Sequence, residues 1–85
     1  MKIHYSLYFL KKIKKLEDNL QEEIIEKIEL FQTDKQSQLK IHKLHGKLKD
    51  CFSLSINYKI RAIFYRETNN DVVFIDVGNH EQTYE

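Results

Sequence analysis

The sequence predicts an α+β fold of order β-α-α-β-β-β, with two N-terminal helices packed on one face of a small, mainly antiparallel sheet. Two observations carry this prediction. Through the first third, apolar residues recur at helical spacing, and from Lys47 onward the period changes to two. The later strands are also separated by short polar clusters, which join antiparallel neighbours. At 85 residues the chain makes a single domain over 1–85, because a second domain would need a core of its own. Apolar residues are 41% and charged residues 32%, a balance that excludes a disordered chain.

Each element has its own signal. Lys2-Ile3-His4-Tyr5 alternates and reads as a strand, and Ser6 is placed to cap the helix that follows. Phe9, Leu10, Ile13 and Leu16 form that helix's apolar stripe, with Lys11, Lys12, Lys14 and Lys15 largely off it as a solvated face. Asn19 with Glu22 resembles a capping box, which starts a second helix with the stripe Leu20, Ile24, Ile28 and Phe31. The polar run 33–38 stops it. Leu48, Phe52, Leu54 and Ile56 then alternate with Lys47, Lys49, Cys51, Ser53 and Ser55, so the first long strand has one polar face. A turn near Asn57 leads into a strand over 59–65, and Thr68 to Asp71 form the next turn. Val72 to Val77 is apolar on both faces and reads as a more central strand, ended by Gly78. The two helices must cover one sheet face to hide their stripes, which leaves the other without helical cover.

Composition narrows the chemistry. Two glycines and no prolines exclude a Gly-rich phosphate loop, and a single cysteine excludes an internal disulfide framework. No apolar run reaches the length of a membrane span, and no secretory signal is visible at the start, so the cytoplasm is the expected compartment. The net charge is only +1, but it is unevenly spread. Residues 35–66 hold eight Lys and Arg against Asp50 alone, while residues 67–85 hold five acids and no Lys or Arg. A basic segment of this kind favours a phosphate-rich partner; the alternative is a solvated basic face.

Three places could carry chemistry. In His42-Lys43-Leu44-His45-Gly46-Lys47-Leu48-Lys49, a histidine can act as acid or base and lysines can hold phosphate, although the stretch could equally be a polar lead-in to a hairpin. In Gly78-Asn79-His80-Glu81-Gln82-Thr83-Tyr84, an imidazole and a phenol four apart can both move protons; otherwise the stretch is a tail. Arg61 lies among apolar residues and must place its guanidinium on something polar, either a phosphate or the carboxylate of Asp76 or Asp50. Lys59 shares Arg61's strand parity. A metal site from His42, His45, His80 and Cys51 has no standard zinc spacing, and none is expected.

These residues resemble the RelE/ParE superfamily of bacterial toxins from toxin–antitoxin systems. The resemblance spans nearly the whole chain: His42-x-Leu44-x-Gly46, Ser55 and Tyr58 ahead of Ile60-Arg61-Ala62-Ile63-Phe64-Tyr65, and Asp76-Val77-Gly78-x-His80-Glu81-x-x-Tyr84. It implies a RelE-like fold and a ribosome-dependent mRNA endoribonuclease that needs no metal or small-molecule cofactor. In such an enzyme the ribose 2′-hydroxyl attacks the adjacent phosphate. The YafQ-like branch points to His42, His80 and Tyr84 as catalytic residues. The RelE branch points to Lys47, Lys49, Arg61 and Tyr84. Lys43 and Lys59 would join Lys47 and Lys49 in holding RNA. The implied partners are a cognate antitoxin protein, the ribosome and mRNA, with no membrane. ParE-type relatives share the fold but bind DNA gyrase and leave RNA intact, and a catalytically inactive member is a further alternative.

Overall fold

Strand and helix positions follow the periodicities of the sequence. The computed structural model describes residues 1–33 and 36–79, so His80 and Tyr84 lie outside the described residues, as do Asp34 and Lys35 of the polar stretch. In chain order the elements are β1 (Ile3–Tyr5), α1 (Leu7–Lys14), α2 (Asp18–Phe31), β2 (His42–Lys43), β3 (Cys51–Ser55), β4 (Ile60–Arg66) and β5 (Val72–Asn79), with 3-10 turns at Gln36–Leu39 and Gly46–Leu48. They build a five-stranded sheet of order β1-β5-β4-β3-β2. The β5–β4–β3–β2 pairings are antiparallel, and β1 alone runs parallel to its neighbour β5. As its apolar run predicts, β5 lies inside the sheet.

Ser6 caps α1 as its sequence position suggests, its hydroxyl accepting from the Phe9 N–H at 3.0 Å. The expected capping box does not form. The N-cap of α2 is Glu17, without a side-chain bond, and the Glu17 carbonyl receives the first helical bond from Gln21 at 3.0 Å. Asn19 is therefore inside the helix. Leu10, expected on the α1 stripe, is instead 41% exposed.

The helices press Phe9, Ile24, Ile28 and Phe31 onto Leu54, Ala62, Phe64 and Phe74 of the sheet, all of them buried. Phe64 is the centre of this core. Its ring centroid lies 5.0 Å from Phe31, 5.4 Å from Phe74 and 5.5 Å from Phe52. The Arg66 guanidinium sits 5.7 Å from the Phe64 ring and 5.8 Å from those of Phe31 and Phe52, closing the cluster at its rim. Arg66 is thereby engaged in cation–π contact, worth about 0.5–1 kcal/mol at an exposed site. Among the described residues no helix is long and apolar enough to cross a membrane.

The stretch before β3 differs most from the expectation. Lys47 lies in the 3-10 turn and Lys49 just after it, so neither stands on the strand. Gly46 begins this turn at φ +69 with open space where a Cβ would be, so the left-handed backbone and not crowding calls for glycine there. Lys59 likewise sits in the hairpin turn before β4 and not on the strand.

Candidate nucleic-acid interface

Asn57 determines where β4 begins. Its side-chain oxygen accepts from the Lys59 and Ile60 N–H groups at 2.9 and 2.8 Å, closing the β3–β4 turn. Strand alternation from Ile60 then turns Ala62 and Phe64 into the core and Arg61 onto the opposite face. On that face Arg61 is opposite Ser55 on β3 and Gly78 on β5, and Gly78 has no side chain to crowd it.

The Arg61 side chain crosses β3. Its Nε donates to the Ser53 hydroxyl at 3.0 Å and an Nη donates to the Lys40 carbonyl at 2.8 Å. Neither Asp76 nor Asp50 pairs with it. The Asp76 carboxylate instead accepts from the Lys12 ammonium of α1 at 2.7 Å. The reason is geometric: β1 pairs only the first residues of β5, and α1 runs beside the rest of that strand. Lys12, read as part of a solvated face, is thus a structural residue whose ammonium also lies 5.4 Å from the Tyr8 ring. Ser53 is fully buried beneath the arginine. Arg61 thus commits two N–H groups to fixed partners among the described residues, and its remaining donors stay available on a partly exposed fork.

His42 stands opposite Ser53 across the β2–β3 ladder, on the same face as Arg61, two strands away and two residues along, about 12 Å by strand geometry. It is exposed, as are Lys43, Lys47, Lys49 and Lys59. The Lys59 ammonium lies 5.5 Å from the ring of Tyr58, which is 91% exposed. The ion pairs among the described residues are Lys12–Asp76 and His4–Asp71, so Arg61 and these four lysines have no carboxylate partner among them. Strand parity alone would put Lys47, Lys49 and Lys59 on the polar sheet face, and the fold does not. Arg61 and His42 are on the face, whereas Lys47, Lys49 and Lys59 stand in turns around it.

Two anchors of Arg61 carry little signal in the sequence: Ser53 is one of several alternating polar residues on its strand, and the Lys40 carbonyl is a backbone group. Ser53 and Arg61 do lie near the turn on polar-face positions of consecutive strands, and that spacing was the available signal. Lys40 has φ 50, a left-handed conformation that no local motif announces.

Among the described residues one group of three metal-ligating side chains comes together, His4, Glu67 and Asp71. The Asp71 carboxyl is held below its usual range, chiefly by the Lys2 backbone N–H, with further hydrogen bonds from His4 and Asn69. Burial, with the Asp50 charge adding to it, pushes the Cys51 thiol up. A raised thiol carries less thiolate at a given pH, so Cys51 is expected to react with iodoacetamide at about pH 8 more slowly than a free cysteine. Mass spectrometry of timed samples, native and in urea, measures this; equal native and denatured rates would contradict it.

No protein-family model matches the sequence, and no curated protein matches it. Solved structures do match. The YoeB/ParE toxin from Agrobacterium tumefaciens superposes with a TM-score of 0.75 at 18% identity, over 94% of this chain and 99% of that one. RelE in the RelE–RelB complex of Pyrococcus horikoshii OT3 does so at 0.73 and 10%, over 96% and 97%. YafQ from E. coli strain BL21(DE3) does so at 0.71 and 17%, over 99% and 98%. The chain therefore has the RelE/ParE toxin fold along nearly its whole length, the α+β architecture that its residue pattern predicts.

Proposed function

We propose that this chain is the toxin of a type II toxin–antitoxin pair and acts as a ribosome-dependent, metal-independent mRNA endoribonuclease. The observation that carries the reading is the placement of Arg61: a guanidinium fork held by Ser53 and Lys40, without a carboxylate partner among the described residues, inside a rim of exposed cations. Chain connectivity adds to it. Arg61 faces Gly78 on β5, and Asn79, the residue next in sequence to His80, closes that strand beside it.

The chemistry follows from what phosphodiester cleavage requires. A ribose 2′-oxygen bonds to the adjacent phosphorus, and the bond from phosphorus to the 5′-oxygen breaks. Negative charge builds on the phosphoryl oxygens, where a fixed guanidinium is most effective. One group takes the 2′-hydroxyl proton and another returns a proton to the leaving 5′-oxygen. His80 or Tyr84 fills one of these roles, and His42 or a lysine fills the other. Lys43, Lys47, Lys49 and Lys59 hold the RNA backbone, which makes binding fall steeply with salt.

A cognate antitoxin is the second part of the reading. The P. horikoshii relative is in complex with RelB. Here an apolar groove between the helices, with Leu10 and Ile25 exposed at 41% and 55%, offers a surface on the helical side of the sheet. The test is a translation-coupled primer-extension assay with purified protein. New mRNA 5′ ends that need both ribosomes and active translation are expected, and chelator should leave them unchanged. Undisturbed translation together with gyrase-dependent DNA breaks would assign the chain to the ParE-like mode. Undisturbed translation without breaks would mark it as a binding-only form.

A further inference from the structure

At the opposite end of the sheet lies a second chemical cluster. His4 comes from β1, Glu67 follows β4 and Asp71 precedes β5, and a ligand atom from each lies within 4.8 Å of the others. Glu67 is six residues along the strand from Arg61, roughly 20 Å away. The proposed reaction does not use this cluster.

The backbone around it is closed and paired. The Glu67 N–H donates to the Asp71 carbonyl at 2.8 Å, and the Asn70 N–H to the Glu67 carbonyl at 2.9 Å. Asn70 takes the left-handed conformation, φ 70, that this tight turn needs. Asn69 brackets Asp71 from both sides: its side-chain oxygen accepts from the Asp71 N–H, and its amide donates to Oδ2, each at 3.1 Å. The Lys2 N–H donates to Oδ1 at 2.9 Å. The other oxygen, Oδ2, is then directed at the His4 Nε2, 3.3 Å away. His4 is itself held in register opposite Val73. Such outer contacts orient ligands in metal sites.

We propose that His4, Glu67 and Asp71 bind one borderline divalent transition-metal ion, of the zinc or nickel type, which ties β1 to the β4–β5 turn. One imidazole and two carboxylates suit such an ion, which takes nitrogen and oxygen at about 2.0–2.2 Å. Ligand atoms around an ion at that range lie about 3.0–3.5 Å apart, so the His4–Asp71 pair is already spaced for it. Glu67 is exposed and its carboxylate has no partner among the described residues, so a rotamer change can bring it the remaining distance. A dication also relieves the repulsion of two carboxylates gathered in the acidic third of the chain. Its effect is mechanical. β1 contributes a short edge pairing to β5, and cross-linking it to the adjacent turn removes the easiest route for the strand to fray.

The test is a zinc chloride titration of the full-length protein without a histidine tag, followed by NMR of the histidine ring resonances and by thermal unfolding. Saturable binding of one ion that shifts the His4 ring is expected. At a free zinc concentration of about 100 times the dissociation constant, the folded-to-unfolded ratio should rise about 100-fold. Glu67→Gln leaves the His4–Asp71 pair and the Lys2 bond in place and should weaken binding by about 10-fold or more. His4→Gln should abolish the saturable shift, and His45→Gln should leave it as in the parent. The proposal is overturned if the His4 ring does not respond up to about 1 mM zinc. It is equally overturned if Glu67→Gln binds as tightly as the parent, or if His45→Gln loses the binding.

Discussion

An Arg61→Ala protein is expected to cleave translated mRNA about 10²–10³-fold more slowly than the parent while remaining folded. The magnitude is what removing one fixed donor from a developing oxyanion costs in other enzymes. The fold survives because the side chain contributes two surface-side hydrogen bonds, to Ser53 and Lys40, and nothing to the aromatic core. Their loss costs about 1 kcal/mol each. Arg61→Lys separates charge from geometry. A lysine retains the positive charge, but it has no Nε–H to hold Ser53 while a second nitrogen reaches Lys40, so its ammonium is not fixed over the sheet. Its cleavage rate should fall between those of Ala and Arg. Single-turnover cleavage on programmed ribosomes, beside thermal melts of each variant, measures both effects. Parent-like cleavage by Arg61→Ala would remove Arg61 from the site.

The largest effect on stability is expected from Phe64→Ala, at about 3–5 kcal/mol. Phe64 is fully buried and touches the rings of Phe31, Phe52 and Phe74, which join helix α2 to strands β3 and β5. Deleting it opens a cavity where the two layers meet, and the rigid rings around it relax only in part. A domain of this size has only about 4–13 kcal/mol in total, so the variant is largely unfolded at growth temperature. It also strips the Arg66 guanidinium of one of its three faces. Tyr58→Ala is the contrast. That ring is 91% exposed, and its removal should change stability by less than about 0.5 kcal/mol. Urea unfolding followed by circular dichroism gives both values. A Phe64→Ala loss under about 1 kcal/mol would show that the centre of the core lies elsewhere.

Much of the fold was legible in the residue order because period is a local property. Ile24, Ile28 and Phe31 recur at helical spacing and are buried. Phe52, Leu54 and Ile56 alternate and turn toward the helices, with Leu54 and Ile56 fully covered. Asn57 and the Thr68–Asp71 cluster make the turns that their side-chain chemistry favours. The expectation failed where a local pattern had two readings. The alternation of Lys47 and Lys49 with Leu48 fits a strand, yet Gly46 at φ +69 starts a 3-10 turn that delays β3 to Cys51. Asn19 and Glu22 have capping-box spacing, but the N-cap is Glu17, two residues earlier, and the box has no end to cap.

Residue order by itself determined the helical and strand periods, the charge asymmetry and the singling out of Arg61, since each depends on neighbours a few positions apart. Tertiary structure alone decided what Arg61 holds and what it does not. Its bond to Lys40 spans 21 residues and exists only because β2, β3 and β4 lie side by side in one register. The same applies to Asp76, claimed by Lys12 from 64 residues away once α1 settles beside β5, and to His4, which meets Asp71 only when the first strand pairs with the last. Contacts of this range depend on how the layers dock, and docking is set by the burial of the aromatic core as a whole.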